Sequence, residues 1–145
     1  MEVKEVMTSN VRLATPDQSI SESARIMAEC DSGVVPVYQD DRLVGMVTDR
    51  DIVVRAVAND LSPDTPVREV MSQEVLYCYE DEDIEQVANN MAKNQVRRLP
   101  VLNRSKRLVG IVSIGDLSKS VRPHATGEAI AQISKTGGQH SQSPN

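Results

Sequence analysis

The chain has no phenylalanine, no tryptophan and only three tyrosines among its 145 residues. Any core must therefore be filled by Val, Ile, Leu, Met and Ala. No basic stripe with interleaved aromatics, of the kind that nucleic-acid binding uses, appears either. A surplus of positive charge is missing too: 16 Lys and Arg stand against 21 Asp and Glu, a net charge of −5. Nonspecific nucleic-acid binding draws its affinity from basic side chains that neutralise phosphates, so no nucleic-acid partner is expected. The local exception is Arg97-Arg98, followed by Arg104, Lys106 and Arg107.

Long apolar runs are absent as well. No stretch approaches the roughly 18 to 20 residues needed to cross a bilayer, and the opening MEVKEVMTS lacks the apolar segment of a secretory signal. The expectation is a soluble, cytoplasmic protein without a membrane partner. Its two cysteines, Cys30 and Cys78, have no CxxC spacing and no histidine nearby. They read as small apolar residues in a reducing compartment rather than as a metal or redox site. His124 and His140 stand alone in a polar tail, so neither a metal site nor a catalytic pair is expected.

What the chain does have is the same text twice. Glu5-Val6-Met7 returns as Glu69-Val70-Met71, 64 positions on (69 − 5), and the offset persists at Ile20 and Ile84, Ala24 and Ala88, Met27 and Met91, Pro36 and Pro100. One residue is then added between PVYQDDRLVG and PVLNRSKRLVG, after which RLVGMVTDRDI and RLVGIVSIGDL run 65 positions apart (107 − 42). A hairpin loop tolerates such an insertion.

Each copy predicts strand, helix, strand, strand, helix. An extended stretch (Val11–Ala14, Val75–Tyr79) leads to a helix with a start signal: Ser19-Ile-Ser-Glu22 fits a capping box and Asp83-Ile-Glu-Gln86 is a variant of it. Ile20, Ala24 and Met27, like Ile84, Ala88 and Met91, fall at i, i+4 and i+7 and are expected to face a core. Two short β-branched runs follow (Val34–Tyr38 with Leu43–Thr48, Leu99–Leu102 with Leu108–Ser113), then a second helix after Thr48 and after Ser113. Residues 1–60 are read as the first repeat, 61–67 as a linker marked by the prolines of NDLSPDTPV, 68–121 as the second repeat, and 122–145 as a mostly flexible tail. In that tail Glu128–Ile133 has the pattern for a turn or two of helix, and TGGQHSQSPN is expected to be mobile. A unit of about 60 residues buries little surface alone, so the fold class is α/β (α+β), with two repeats packed on each other.

Folding explains the apolar positions but only part of Thr48-x-x-Asp51 and Ser113-x-x-Asp116. The plain structural account is a helix cap, a hydroxyl at the N-cap with an acid at N3, worth about 1 kcal/mol. The functional account uses the same geometry: a carboxylate one turn into a helix accepts from two vicinal hydroxyls of a ribose, while the hydroxyl and helix start face a phosphate. Hydrogen bonds of that charged kind are worth about 1.5 to 3 kcal/mol each.

The doubled pattern, with VM near each start, VVPV or RRLPV after the first helix, and RLVG-x-V-[ST]-x-x-D at the end, resembles a tandem pair of cystathionine-β-synthase (CBS) domains of the stand-alone type over about residues 2 to 121. The resemblance implies a pseudo-twofold module with two clefts for adenosyl ligands, AMP, ADP or ATP and also S-adenosylmethionine, and no cofactor beyond that ligand. It implies that Thr48 with Asp51 and Ser113 with Asp116 hold ribose and phosphate. Arg97 and Arg98 stand where basic residues of the family often meet phosphate, with a solvated strand edge as the equal alternative, and Arg50 is a further candidate. Ala14, Thr15, Val34, Val35 and Pro36, with Cys78, Tyr79, Leu99 and Pro100, would flank the base. Asp49 adds negative charge beside the first cleft where Ile114 and Gly115 add none, so an anionic ligand should prefer the second.

The resemblance implies a homodimeric regulator acting in trans on an unknown partner. The alternative is a dimeric interaction scaffold that binds no nucleotide. An enzyme is not expected: the acids at Asp49, Asp51 and Glu80–Asp83 come with no nucleophile–base pair, no metal-spaced histidines and no P-loop.

Overall fold

The structure, a computed structural model, describes residues 1–73, 75–120 and 123–134. The chain divides into two compact units, Val11–Val75 and, as the second, Met1–Asn10 together with the chain from Leu76 onward. This division cuts across the sequence repeats. The EVM that opens the first repeat packs in the second unit, and the EVM that opens the second repeat packs in the first.

In the first unit β1 (Val34–Gln39) and β2 (Arg42–Thr48) pair antiparallel, from Val34↔Thr48 to Gln39↔Arg42. Asp40 and Asp41 make the turn, both at positive φ (52° and 62°), which Asp tolerates better than most residues. In the second unit β3 (Cys78–Tyr79) runs parallel to β4 (Arg98–Leu102), and β4 pairs antiparallel with β5 (Leu108–Ser113). The expected three-stranded sheet thus forms in the second unit, whereas Val11–Ala14 yields a single parallel bridge, Ala14↔Val37. Proline explains the difference. Glu80 N–H donates to the Leu102 carbonyl (2.9 Å) and extends the second ladder; its counterpart Pro16 has no N–H to give.

The helices α1 (Ile20–Cys30) and α3 (Ile84–Asn94) begin differently from each other. Ser19 Oγ accepts from Glu22 N–H at 3.1 Å, the N-cap half of a capping box. Asp83 makes no such side-chain bond. What the two starts share is a carbonyl from outside their own repeat: Ile20 N–H donates to Thr65 O of the linker (2.8 Å) and Ile84 N–H to Met1 O of the first repeat (3.1 Å). Ile20, Ser23, Ile26 and Met27 of α1 are buried, as are Ile84, Val87, Ala88 and Met91 of α3. Ala24, expected in the core, is exposed while its counterpart Ala88 is buried. The difference lies in a helix that the sequence reading underestimated. α5 (Pro123–Ile133) packs on α3, buries Ile133 in the second core and accepts at Gln132 O from Gln95 Nε2 (3.0 Å). The expectation for TGGQHSQSPN lies outside the described residues.

After β2 the chain forms one turn, α2 (Asp49–Asp51), that continues as a π-helical turn (Ile52–Ala56) and a 3-10 turn (Val57–Asn59); after β5 it forms α4 (Ile114–Ser118). The glycine of each RLVG has a steric reason. A Cβ on Gly45 would stand 2.6 Å from Met71 Sδ and 2.8 Å from Ser72 O, and a Cβ on Gly110 would stand 2.6 Å from Thr8 O and 2.8 Å from Met7 Sδ. Met46↔Ser72 and Thr8↔Ile111 are backbone bridges at these contacts. The doubled VM and the doubled RLVG are therefore two halves of one contact, each VM seated on the glycine of the other repeat.

Candidate functional site

Both Ser/Thr-x-x-Asp segments close the same box. Thr48 has φ −114° and ψ 162°, and Ser113 has −113° and 163°, so each strand runs extended into its helix start. Asp51 N–H donates to Thr48 Oγ1 (3.0 Å) and Thr48 N–H to Asp51 Oδ2 (2.9 Å). In the second unit the pairs are Asp116 N–H to Ser113 Oγ (3.1 Å) and Ser113 N–H to Asp116 Oδ2 (2.9 Å). All four residues are half-buried. Each box occupies one carboxylate oxygen and leaves Oδ1 pointing elsewhere, with capacity for further donors.

The surroundings of the two boxes differ in sign. Strand pairing sets Val34 opposite Thr48 and Arg98 opposite Ser113. One residue earlier, Gly33 O accepts from Asp49 N–H and Arg97 O from Ile114 N–H, both at 2.9 Å. The Asp49 carboxylate lies against Gly33, with Oδ2 only 2.8 Å from the place a Cβ would occupy. Where the second unit begins an arginine side chain, the first holds a carboxylate. Neither Arg97 nor Arg98 pairs with a carboxylate within 4.0 Å among the described residues. Arg50 is exposed beside the first box, and its N–H donates to Asp49 Oδ1 (2.8 Å).

Arg55 is the contributor that sequence reading missed. Its Nε lies 3.8 Å from Asp51 Oδ1, and its Nη1 donates to Val70 O (3.1 Å) and Met71 O (3.4 Å). The signal was the i, i+4 spacing of acid and base in DRDIVVR. The second repeat has Ser120 at the matching position.

Of the residues expected to flank a base, Val34, Val35 and Pro36 open β1 next to the first box, and Leu99 and Pro100 hold the same place in β4; all are buried. Ala14 sits against the middle of β1, opposite Val37, and Thr15 lies beyond it. Ala14 hydrogen-bonds to Pro36 O and to Tyr38 N–H, about 10 Å along the strand from Val34 at 3.3 Å per residue. Thr15 lines a groove of about 470 Å³ at that hairpin end, with Pro16, Asp17, Tyr38 and Asp40. Cys78 is 1% exposed, and burial pushes its thiol up to about 12. Tyr79 sits under Arg104, whose Cζ is 4.1 Å from the ring centroid. The same guanidinium grips Asp81 through two bonds of 3.0 and 2.8 Å and holds that carboxyl below its ordinary range. The structure thus brings Thr48, Asp51 and Val34 together, and Ser113, Asp116, Arg97 and Arg98 together, but sets Thr15 and Tyr79 at the far ends of their sheets. Among the described residues no cluster of three His, Cys, Asp or Glu is placed to hold a metal, and no helix is long and apolar enough to cross a membrane.

A duplicated α+β unit with one hydroxyl–carboxylate box at the close of each hairpin defines a tandem-repeat protein of a specific kind. The family model for the CBS domain matches the chain twice, at residues 3–57 and 67–123, and the chain belongs to that family. It is 39% identical over 133 residues to the CBS domain-containing protein YhcV of Bacillus subtilis, covering 91% of this chain and 94% of that one. Among solved structures, a conserved CBS domain protein of unknown function, TA0289 of Thermoplasma acidophilum, superposes with a TM-score of 0.84 at 27% identity, covering 97% of this chain and 80% of that one. The CBS domain pair of protein MJ0100, crystallised with 5′-methylthioadenosine and S-adenosyl-L-methionine, gives 0.73 at 30% identity, covering 82% and 94%.

Proposed function

We propose that the chain is a regulatory sensor that binds an adenosyl ligand, AMP, ADP, ATP or S-adenosylmethionine, in the cytoplasm and signals in trans to a partner protein. Asp116 and Asp51 accept from the ribose hydroxyls, Ser113 and Thr48 face the neighbouring phosphate or its equivalent, and the base lies against the aliphatic openings of β4 and β1. Arg97 and Arg98 receive phosphate at the second box. No reaction is assigned to the site.

The observation that carries this reading is the second box itself: a half-buried carboxylate that spends one oxygen on Ser113 N–H, next to two arginines that, among the described residues, have no carboxylate within 4.0 Å. The adenosyl ligands of the related MJ0100 pair support it. The charge reversal between Gly33–Asp49 and Arg97–Ile114 supports a preference of anionic ligands for the second box.

Equilibrium titration with AMP, ADP, ATP, S-adenosylmethionine and adenosine tests the reading. Asp116→Asn keeps an acceptor for Ser113 N–H but removes the charge, so affinity should fall about 10- to 150-fold, the equivalent of 1.5 to 3 kcal/mol, with little change in melting temperature. Asp51→Asn should cost less for AMP, ADP and ATP. A ligand at one hundred times its Kd adds about 2.7 kcal/mol of stability; a melting temperature unmoved by every ligand overturns the sensor. The second reading would then hold, a dimeric scaffold favoured by two boxes that protein atoms already close and by the exposed valines Val53, Val54 and Val57.

A further inference from the structure

The duplication supplies an internal control. The two boxes agree within 0.1 Å in each pair of hydrogen bonds, so a difference in how they receive a ligand must come from what surrounds them. The largest difference on the carboxylate itself is Arg55. In the first box Asp51 spends Oδ2 on Thr48 N–H and turns Oδ1 toward the Arg55 guanidinium at 3.8 Å. That guanidinium does not swing at random: the Val70 and Met71 carbonyls hold its other end. In the second box Ser120 stands in place of Arg55, and Asp116 has no cation within 4.0 Å among the described residues.

We propose that Arg55 is a built-in competitor for the ribose seat of the first box, making the two sites unequal for reasons independent of ligand charge. The proposal rests on the reading of the boxes as ribose seats and goes further, because it names the residue that sets their order of filling. A cis-diol must approach the outward oxygen of the carboxylate to donate both hydroxyls. At Asp51 that oxygen already faces a tethered cation, so the diol has to displace or share it; at Asp116 it does not. The pair is half-exposed and longer than a close ion pair, so its effect is modest, about two- to fivefold in affinity. Neutral ligands should show it as clearly as charged ones, which separates it from the Asp49–Arg97 charge reversal.

Repeat-swapping substitutions test this with adenosine, which carries no phosphate. Arg55→Ser gives the first box the surroundings of the second, and Ser120→Arg does the reverse. Isothermal titration of the full chain, with Asp116→Asn and Asp51→Asn backgrounds to isolate each site, should show adenosine tightening about two- to fivefold at the first site in Arg55→Ser. It should weaken by a similar factor at the second site in Ser120→Arg. If Arg55→Ser leaves the first site unchanged, or loosens it while the melting temperature holds, Arg55 is not a competitor, although the sensor reading stands. If neither the parent chain nor Arg55→Ser binds adenosine or AMP at either site, both proposals fall together.

Discussion

Gly110→Ala puts the seating of the exchanged segments to a quantitative test. The added methyl would meet the Thr8 carbonyl oxygen at 2.6 Å and Met7 Sδ at 2.8 Å. The sulfur ends a flexible side chain and can move aside; the carbonyl cannot, because two hydrogen bonds of 2.9 Å, Thr8 N–H to Ile111 O and Ile111 N–H to Thr8 O, hold that backbone on β5. Overpacking a tight site costs about 1 to 3 kcal/mol, and each hydrogen bond lost as the segment lifts adds about 0.5 to 1.5 kcal/mol. A total of about 2 to 6 kcal/mol follows, and at about 2 to 4 °C per kcal/mol for a chain of this size the melting temperature should drop by about 4 to 24 °C. Urea unfolding followed by circular dichroism reads the free energy directly. Met7→Ala removes the sulfur, so in that background Gly110→Ala should cost less by about 0.5 kcal/mol or more, a coupling that a double-mutant cycle isolates. A Gly110→Ala protein within about 0.5 kcal/mol of the parent would refute the close approach, and equal costs in both backgrounds would remove Met7 from it.

Ser23 offers a test in the opposite direction. Its side-chain oxygen is fully buried in α1 without a hydrogen-bond partner among the described residues, and the matching residue of the second repeat is the buried Val87; Ser23→Ala should therefore stabilise the chain by about 1 kcal/mol in the same urea assay, and a loss of stability would show that the hydroxyl is satisfied. The cysteines should separate kinetically: exposed Cys30 reacts with a thiol reagent in the native chain, while Cys78 reacts only on unfolding, and simultaneous labelling would contradict the burial. Cys78 also sets a pH dependence. Its thiol is raised from 9.0 to about 12 in the folded chain, so the unfolded chain loses that proton first, and between these values stability falls by up to about 1.4 kcal/mol per pH unit while below them the contribution is constant. Cys78→Ala should flatten that alkaline slope in urea midpoints, and an unchanged slope would assign it to other groups.

Much of the fold was legible because periodicity reports which face of an element is apolar. Ile20 and Met27, with Ile84, Ala88 and Met91, took their core places from spacing alone, and the hairpins and boxes followed from turn residues and hydroxyl–acid spacing. Periodicity does not report which neighbour covers a face. Ala24 and Ala88 are identical letters at identical repeat positions, yet only the second meets a covering helix, and α5 was hard to read from ATGEAIAQI because its stabilisation comes from α3 rather than from its own propensity. A single missing N–H at Pro16 likewise decides whether a third strand forms, although the apolar pattern of Val11–Ala14 resembles that of its partner segment. The ribose-seat candidates at the boxes were readable as letters, while the distances that distinguish them required coordinates, since Asp51 and Asp116 sit in matching boxes and differ in a cation four residues on. The recurrence of a methionine and a glycine in each repeat was readable, but not that each pair is completed from the other copy, because a repeat closing on its own VM would carry the same letters. Duplication followed by exchange makes neither half self-sufficient, because a lone repeat that kept its own VM would have to fold that segment back onto its own RLVG through a different connection. The chain crosses from one unit to the other at Asn10–Val11 and again at Val75–Leu76, so each opening segment is carried into its unit by the backbone itself.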